Sequence, residues 1–259
     1  MFIDTHCHLT GEYCKDIELS AVIKRAIDAN VTTLVCPTAD PEDIPSAIEI
    51  INKYDNVFAT IGIHPESATD PRFHGDDGLM MIMPDSLFDN PKVIGIGEIG
   101  LDYHYGAEYK KQQIELFERQ LEIAKRVGLP VAIHTREAEG DTERILDGSV
   151  PGVMHCYTSS WDLAKVMLDR GFFFSASGII TFKNSDELRE TFAKIPTDRI
   201  VIETDAPYCA PVPFRGKTAE PAMVTQTARV LADIKNLQLE DLGVILRDNT
   251  KRLYPKIKL

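Results

Sequence analysis

The chain has 259 residues, enough for a well-buried core and close to the roughly 250 residues of a one-domain α/β barrel. Its 40 acidic residues outnumber 28 basic ones, and the net charge of −12 excludes a general nucleic-acid coat, so any grip on phosphate must be local. Five scattered cysteines (Cys7, Cys14, Cys36, Cys156, Cys209) without a C-x-x-C pair exclude a disulfide framework and a structural zinc site.

The elements then follow in chain order. A strand is expected at 2–5, a helix near 16–29, a strand at 31–36, a helix near 41–53 and a strand at 57–63. An irregular loop near 64–78, with Pro65, Pro71, His74, Gly75 and Gly78, leads to a helix near 78–88. Next come a strand at 93–97, a helix near 107–127, a strand at 130–134, a helix near 137–147, a strand at 152–155 and a helix near 160–170. The pattern ends with a strand at 172–177, a helix near 184–194, a strand at 200–204, a long loop from Pro207 to Pro221, and helices near 220–234 and 239–248. Eight strands alternating with helices imply parallel pairing, and this number over this length favours a closed (β/α)8 TIM-type barrel over an open sheet. No repeat or linker marks a second domain, so residues 1–259 are read as one domain. No basic n-region precedes an apolar core and no apolar run approaches the roughly 18 residues needed to span a bilayer. With the cysteine pattern, this reads as a cytoplasmic protein with no membrane contact and no obligate protein partner.

Strand ends carry the chemistry. Alternation puts Asp4, His6 and His8 on one face of the first strand, where three ionisable groups are costly unless they bind something. Imidazoles so spaced can ligate one cation, with Asp4 in support. Glu98 closes the strand at 93–97, His134 that at 130–134 and His155 that at 152–155, while Asp205 follows the last strand; all fall on the catalytic rim of a barrel. His64 also lies at a strand end, whereas His74 and His104 lie in loops and are read as incidental. The ligand count suggests two divalent metal ions. His6, His8 and Asp205 hold one, His134 and His155 the other, and Glu98 gives one oxygen to each. Such a pair shares a hydroxide nucleophile, and Asp205 is also positioned as general base. Imidazole-rich ligation favours Zn, Mn or Co over a purely Mg site without settling identity. Cys7 and Cys156 each neighbour a ligand, point the opposite way and are read as packed thiols.

The motifs resemble, as a set, those of the TatD family of metal-dependent deoxyribonucleases in the amidohydrolase superfamily. They are Asp4-Thr5-His6-Cys7-His8, Gly62-Ile63-His64-Pro65, Gly97-Glu98-Ile99-Gly100-Leu101-Asp102-Tyr103, His134-Thr135-Arg136, His155-Cys156-Tyr157, Glu203-Thr204-Asp205-Ala206-Pro207-Tyr208 and Pro213-Phe214-Arg215-Gly216-Lys217. The resemblance implies a barrel, divalent-metal hydrolysis, and nuclease activity that includes 3′-to-5′ removal of nucleotides from DNA ends. It also implies that Glu98 stands where other superfamily members use a carboxylated lysine, and that Glu203 belongs to the catalytic site, either supporting a ligand or ligating an additional ion. The family's x-Asn-Glu-Pro reads Thr218-Ala219-Glu220-Pro221 here, which removes an expected helix cap worth about 1 kcal/mol, and Ser159 replaces a usual glycine.

Among substrate contacts, Arg136 and Arg215 are candidates for bidentate phosphate pairing, His64 for orienting phosphate or water, and Tyr157 and Tyr208 for stacking on a base. Lys217 is read as surface charge. Asp102 reads either as a carboxylate that fixes a ligand imidazole or as a turn residue. The ligand set alone leaves DNA or another phosphodiester open beside a small phosphoester, or a lactone, ester or amide. A non-catalytic scaffold fits neither the intact ligands nor the lack of a broad basic face.

Overall fold

Parallel neighbours cannot be joined by a tight hairpin, and the long connections between these strands carry helices. In a computed structural model describing residues 1–11, 18–73 and 78–258, eight strands pair in chain order, each parallel to the next. They are β1 (Phe2–Asp4), β2 (Val31–Pro37), β3 (Val57–Thr60), β4 (Val93–Asp102), β5 (Val131–Arg136), β6 (Gly152–Met154), β7 (Phe173–Ala176) and β8 (Ile200–Ile202). The seam between the first and last closes just beyond their ends. There Thr5 N donates to Ile202 O (3.1 Å), Asp205 N to His6 O (2.9 Å) and His8 N to Ala206 O (2.8 Å). The result is the expected α/β barrel.

The helices are α1 (Leu19–Asp28), α2 (Asp43–Lys53), α3 (Gly78–Ile82), α4 (Tyr103–Gly106), α5 (Lys110–Val127), α6 (Glu139–Ile145), α7 (Trp161–Asp169), α8 (Asp186–Lys194), α9 (Val224–Lys235) and α10 (Leu239–Leu253). The helix expected near 78–88 is instead α3 followed by a 3-10 turn at Asp85–Asp89, because Pro84 cannot continue the helical ladder. His74 and the start of the helix expected near 16–29 lie outside the described residues. The strand expected at 57–63 stops at Thr60, because side chains take over the ladder: Thr38 Oγ1 bonds both N and O of Gly62, and the Gln120 amide does the same for Ile63. Conversely β4 runs on to Asp102, since Ile99 to Asp102 pair with Ile133 to Arg136 of β5. Gly100, at φ 144°, permits this approach, because a Cβ there would lie 2.0 Å from His134 O. Ala219 caps nothing: it is fully buried and donates to Pro207 O (3.0 Å), and the 3-10 turn Pro221–Met223 precedes α9.

Two cores result. The larger lies between strands and helices, whereas the smaller fills the barrel with one residue from each of seven strands: Val35, Phe58, Ile94, Ala132, Val153, Phe173 and Val201. Leu253, Tyr254 and Ile257 of the C-terminal segment join this inner cluster. Strand alternation carries the inner face toward the strand C-termini in steps of two. Two residues past Ala132, Val153 and Val201 come His134, His155 and Glu203, and four past Ile94 comes Glu98. An apolar plug thus sits beneath a layer of ionisable side chains.

Candidate metal centre

Glu98 is at the middle of this layer, its side chain 4% exposed. Its two oxygens face different imidazoles. Oε2 lies 3.3 Å from His6 Nε2 and 3.7 Å from His8 Nε2, while Oε1 lies 2.8 Å from His134 Nδ1, 3.3 Å from His155 Nε2 and 3.6 Å from His64 Nε2. Asp205 Oδ1 approaches the first set, 3.7 Å from His8 and 4.0 Å from His6, and is 3.8 Å from His155 Nε2. All six residues expected to ligate metal converge on this cavity or its floor.

Each is aimed by its neighbours. Asp4 is fully buried and ties β1 to the chain after β8, accepting from Thr204 N (2.9 Å), Thr204 Oγ1 (2.5 Å) and His6 N (3.3 Å). Burial pushes its carboxyl up to about 8, and its oxygens are already engaged by these donors. Asp205 adopts the left-handed region at φ 56° within a turn closed by Tyr208 N donating to Asp205 O (2.8 Å). That conformation is uncommon outside glycine and recurs at functional sites.

Ring tautomers indicate which nitrogens face inward. His134 Nε2 donates to Asp102 Oδ2 (2.9 Å), so its Nδ1 is directed at Glu98; His155 Nδ1 lies 2.9 Å from Glu203 Oε1 without hydrogen-bond alignment, while its Nε2 faces Glu98. Asp102 thus holds an imidazole and also accepts from the N–H groups of His104 and Tyr105 at the start of α4. Glu203 stands behind His155 and accepts from Cys156 N (2.6 Å), and it also brings one ligand atom within 4.8 Å of those of His6 and His155. His64 differs: its Nδ1 accepts from Glu66 N (3.3 Å), which leaves the proton of the neutral ring on Nε2, toward the cavity. It faces the centre as a donor, although His64, Glu98 and His134 also bring one ligand atom each within 4.8 Å of one another.

The charges follow from this arrangement. Burial opposes ionisation of Glu98, but the raised imidazoles of His155 and His134 outweigh it and hold its carboxyl well below the usual range. Burial alone would lower His134; the hydrogen bonds to Asp102 and Glu98 outweigh it and raise the ring to about 9. His155 is raised well above its ordinary value because Glu203 and Glu98 outweigh burial in the same way. Burial lowers His64 to about 3 and also lowers His8, so both stay neutral.

The donor set fits a cation pair. His6 Nε2 is buried and has no hydrogen-bond partner among the described residues, a costly state that a metal ion would relieve. His6, His8 and Asp205 place their ligand atoms within 4.8 Å of one another, and Glu98 reaches both this group and the His134 and His155 pair.

The cavity above the layer measures about 550 Å³, and His8, His64, Glu98, His134, Arg136, His155 and Asp205 line it. Arg136 stands at its mouth. Arg215 does not line it; its guanidinium lies on the Phe182 ring, 3.7 Å from the centroid. Tyr157 corrects the expectation of a base-stacking residue. It is 1% exposed, packs edge-on against Phe174, and its hydroxyl donates to Ser160 O (2.5 Å), so neither ring face is open. Cys7 is a packed thiol as expected, but Cys156 lines the cavity, because its φ of 39° breaks the strand alternation that would have turned it away. Cys156 and Cys209 are free thiols. Tyr105 and Cys209 also line the cavity. Strand periodicity cannot find them, since both sit in connections; the Tyr103-His104-Tyr105 run beside Asp102 was the available signal.

A family model described as TatD related DNase matches residues 3–255. YabD of Bacillus subtilis, an uncharacterized metal-dependent hydrolase, is 40% identical over 258 residues, covering 98% of this chain and 99% of its own. YcfH of Escherichia coli, described in the same words, is 35% identical over 265 residues, covering 97% and 95%. Among solved structures, the TatD homolog YJJV of Escherichia coli superposes with a TM-score of 0.89 at 27% identity, covering 98% of each chain. With this ligand layer on this barrel, the chain belongs to the TatD related DNase family and is a metal-dependent hydrolase.

Proposed function

We propose that this hydrolase is a phosphodiesterase that removes nucleotides from DNA ends in the 3′-to-5′ direction, using two divalent cations drawn from Mg, Mn, Zn or Co. The observation that carries the reading is the division of Glu98, with one oxygen toward His6 and His8 and the other toward His134 and His155. When bound, the cation pair supplies a water acidified toward neutrality and neutralises phosphate charge. Asp205, partly accessible at 13% of its side chain, accepts the proton of the attacking water as general base. Glu203 and Asp102 keep the rings of His155 and His134 in the orientation that ligation needs. His64 Nε2–H donates to a non-bridging phosphate oxygen. Arg136, exposed at the mouth with no carboxylate partner among the described residues, favours phosphate over a lactone or amide. Arg215, outside the cavity, contacts the strand further along.

Oligonucleotides labelled at one end or the other, incubated with cation-loaded protein, test the reading. Stepwise shortening from the 3′ end, lost in Asp205→Asn and Glu98→Gln, is the expected result. Hydrolysis of lactones or amides without any cleavage of phosphodiesters would overturn it. Among the described residues no helix is long and apolar enough to cross a membrane.

A further inference from the structure

Three aromatic side chains are strongly exposed among the described residues: Tyr105 (63%), Tyr208 (62%) and Tyr109 (43%). Two of them, Tyr105 and Tyr208, line the cavity that holds the proposed metal ligands. Large rings left in water at the mouth of a polar site mark a contact surface.

Topology places the two tyrosines apart. Tyr105 lies in α4, immediately after β4, and Tyr208 in the turn after β8. Around a barrel of eight strands in chain order, β4 and β8 are four strands apart in either direction, so their ends face each other across the mouth. Between these ends lies Glu98 with its imidazoles. The Arg136 guanidinium lies over the Tyr105 ring, 4.8 Å from its centroid, a stack that holds the cation flat at the same cavity. Tyr208 stands edge-on to His8, with ring centroids 6.0 Å apart, beside one half of the ligand set.

We propose that the Tyr105 and Arg136 stack and the Tyr208 ring are two nucleobase platforms on opposite sides of the metal centre, taking the bases that flank the scissile phosphate. The inference rests on the phosphodiesterase reading. Arg136 bonds the phosphate with its N–H edge and extends the Tyr105 surface with its plane. Both platforms use ring faces, which every base can match, so the subsites grip nucleotides without reading sequence. A net charge of −12 makes such uncharged contacts useful, because the surface as a whole repels the strand.

The test uses a single-stranded oligonucleotide carrying 2-aminopurine at the last or second-last position, with a phosphorothioate between them to block cleavage. The full-length, cation-loaded wild type quenches the fluorescence at both positions. Tyr105→Ala abolishes the quench at one position and Tyr208→Ala at the other, and each weakens binding roughly five- to 150-fold. Tyr105→Phe and Tyr208→Phe keep both quench and affinity, since the face rather than the hydroxyl acts. Thermal melting confirms that the alanine variants are folded. Absence of quench in the wild type, or wild-type quench and affinity in both alanine variants, overturns the proposal. The two failures are distinguishable: cleavage with quench indifferent to both tyrosines sinks this proposal alone, whereas tyrosine-dependent quench without any phosphodiester cleavage sinks the enzymatic reading and with it the scissile placement, leaving only base binding.

Discussion

Replacing Glu203 by glutamine tests whether this buried carboxylate acts on the metal centre through His155. Glu203 is 1% exposed; its Oε1 accepts from the backbone N–H of Cys156 at 2.6 Å and faces the Nδ1 of His155 at 2.9 Å. A glutamine carbonyl oxygen can accept from Cys156 N and still face His155, and the Ser175 hydroxyl that bonds Glu203 can turn to accept from the amide. The substitution therefore removes the charge and leaves the shape. Without the carboxylate His155 is a weaker base, and loss of such a partner costs about 10- to 100-fold in cation affinity, or about 1.4 to 2.7 kcal/mol. The effect has a pH signature. In the metal-free wild type Glu203 and Glu98 raise His155 well above its ordinary value, so at neutral pH a cation must displace a proton from it. Glutamine lowers that barrier while weakening the ligand, so the difference between the proteins is smallest at neutral pH and widens as pH rises. Competition titrations with a chromophoric chelator from pH 6.5 to pH 9.5 measure it. Affinities within twofold across this range would refute the reasoning and leave Glu203 a merely structural acceptor.

Cation binding should release protons, since His134 sits at about 9 when metal-free and its Nδ1 must lose its proton to ligate. Calorimetric enthalpies at pH 7.5 in buffers of different ionisation heat give the number released; zero would contradict the assignment. The same raised value stabilises the metal-free protein fully below the ordinary histidine value of 6.5, and that contribution is lost as pH rises through about 9. Guanidinium unfolding of chelator-treated protein should show the decline, and a smaller one in His134→Gln, where only the raised His155 still contributes. Asp4→Ala leaves the buried Thr204 N–H and hydroxyl without their acceptor and should cost about 2 to 4 kcal/mol, read from urea midpoints at constant slope. Tyr157→Phe loses only the bond to Ser160 O, about 1 kcal/mol, and oligonucleotide affinity should stay within twofold; a large loss would return Tyr157 to the binding surface.

Much of this protein is legible in the chain itself because the information is local. Period-two alternation and crossover lengths specify eight parallel strands. The same alternation that delivers Ala132, Val153 and Val201 to the inner core sends His134, His155 and Glu203 to the layer above. His6, His8, Glu98 and Asp205 were nameable for that reason. What failed lay where chain direction departs from the period. Cys156, at φ 39°, turns into the cavity against its expected face, and Tyr157, one residue on, is sealed beneath it. The D-x-H-x-H motif that opens the chain could be read as candidate ligand chemistry from spacing alone. Tertiary structure decided how the ligands are divided and aimed. Which oxygen of Glu98 meets which imidazole, which carboxylate fixes each tautomer, and which tyrosines stay open to solvent depend on contacts between residues as much as 200 positions apart, such as Asp4 with Thr204. Such pairings arise only when the barrel closes, because no periodicity within one strand specifies what its neighbours present.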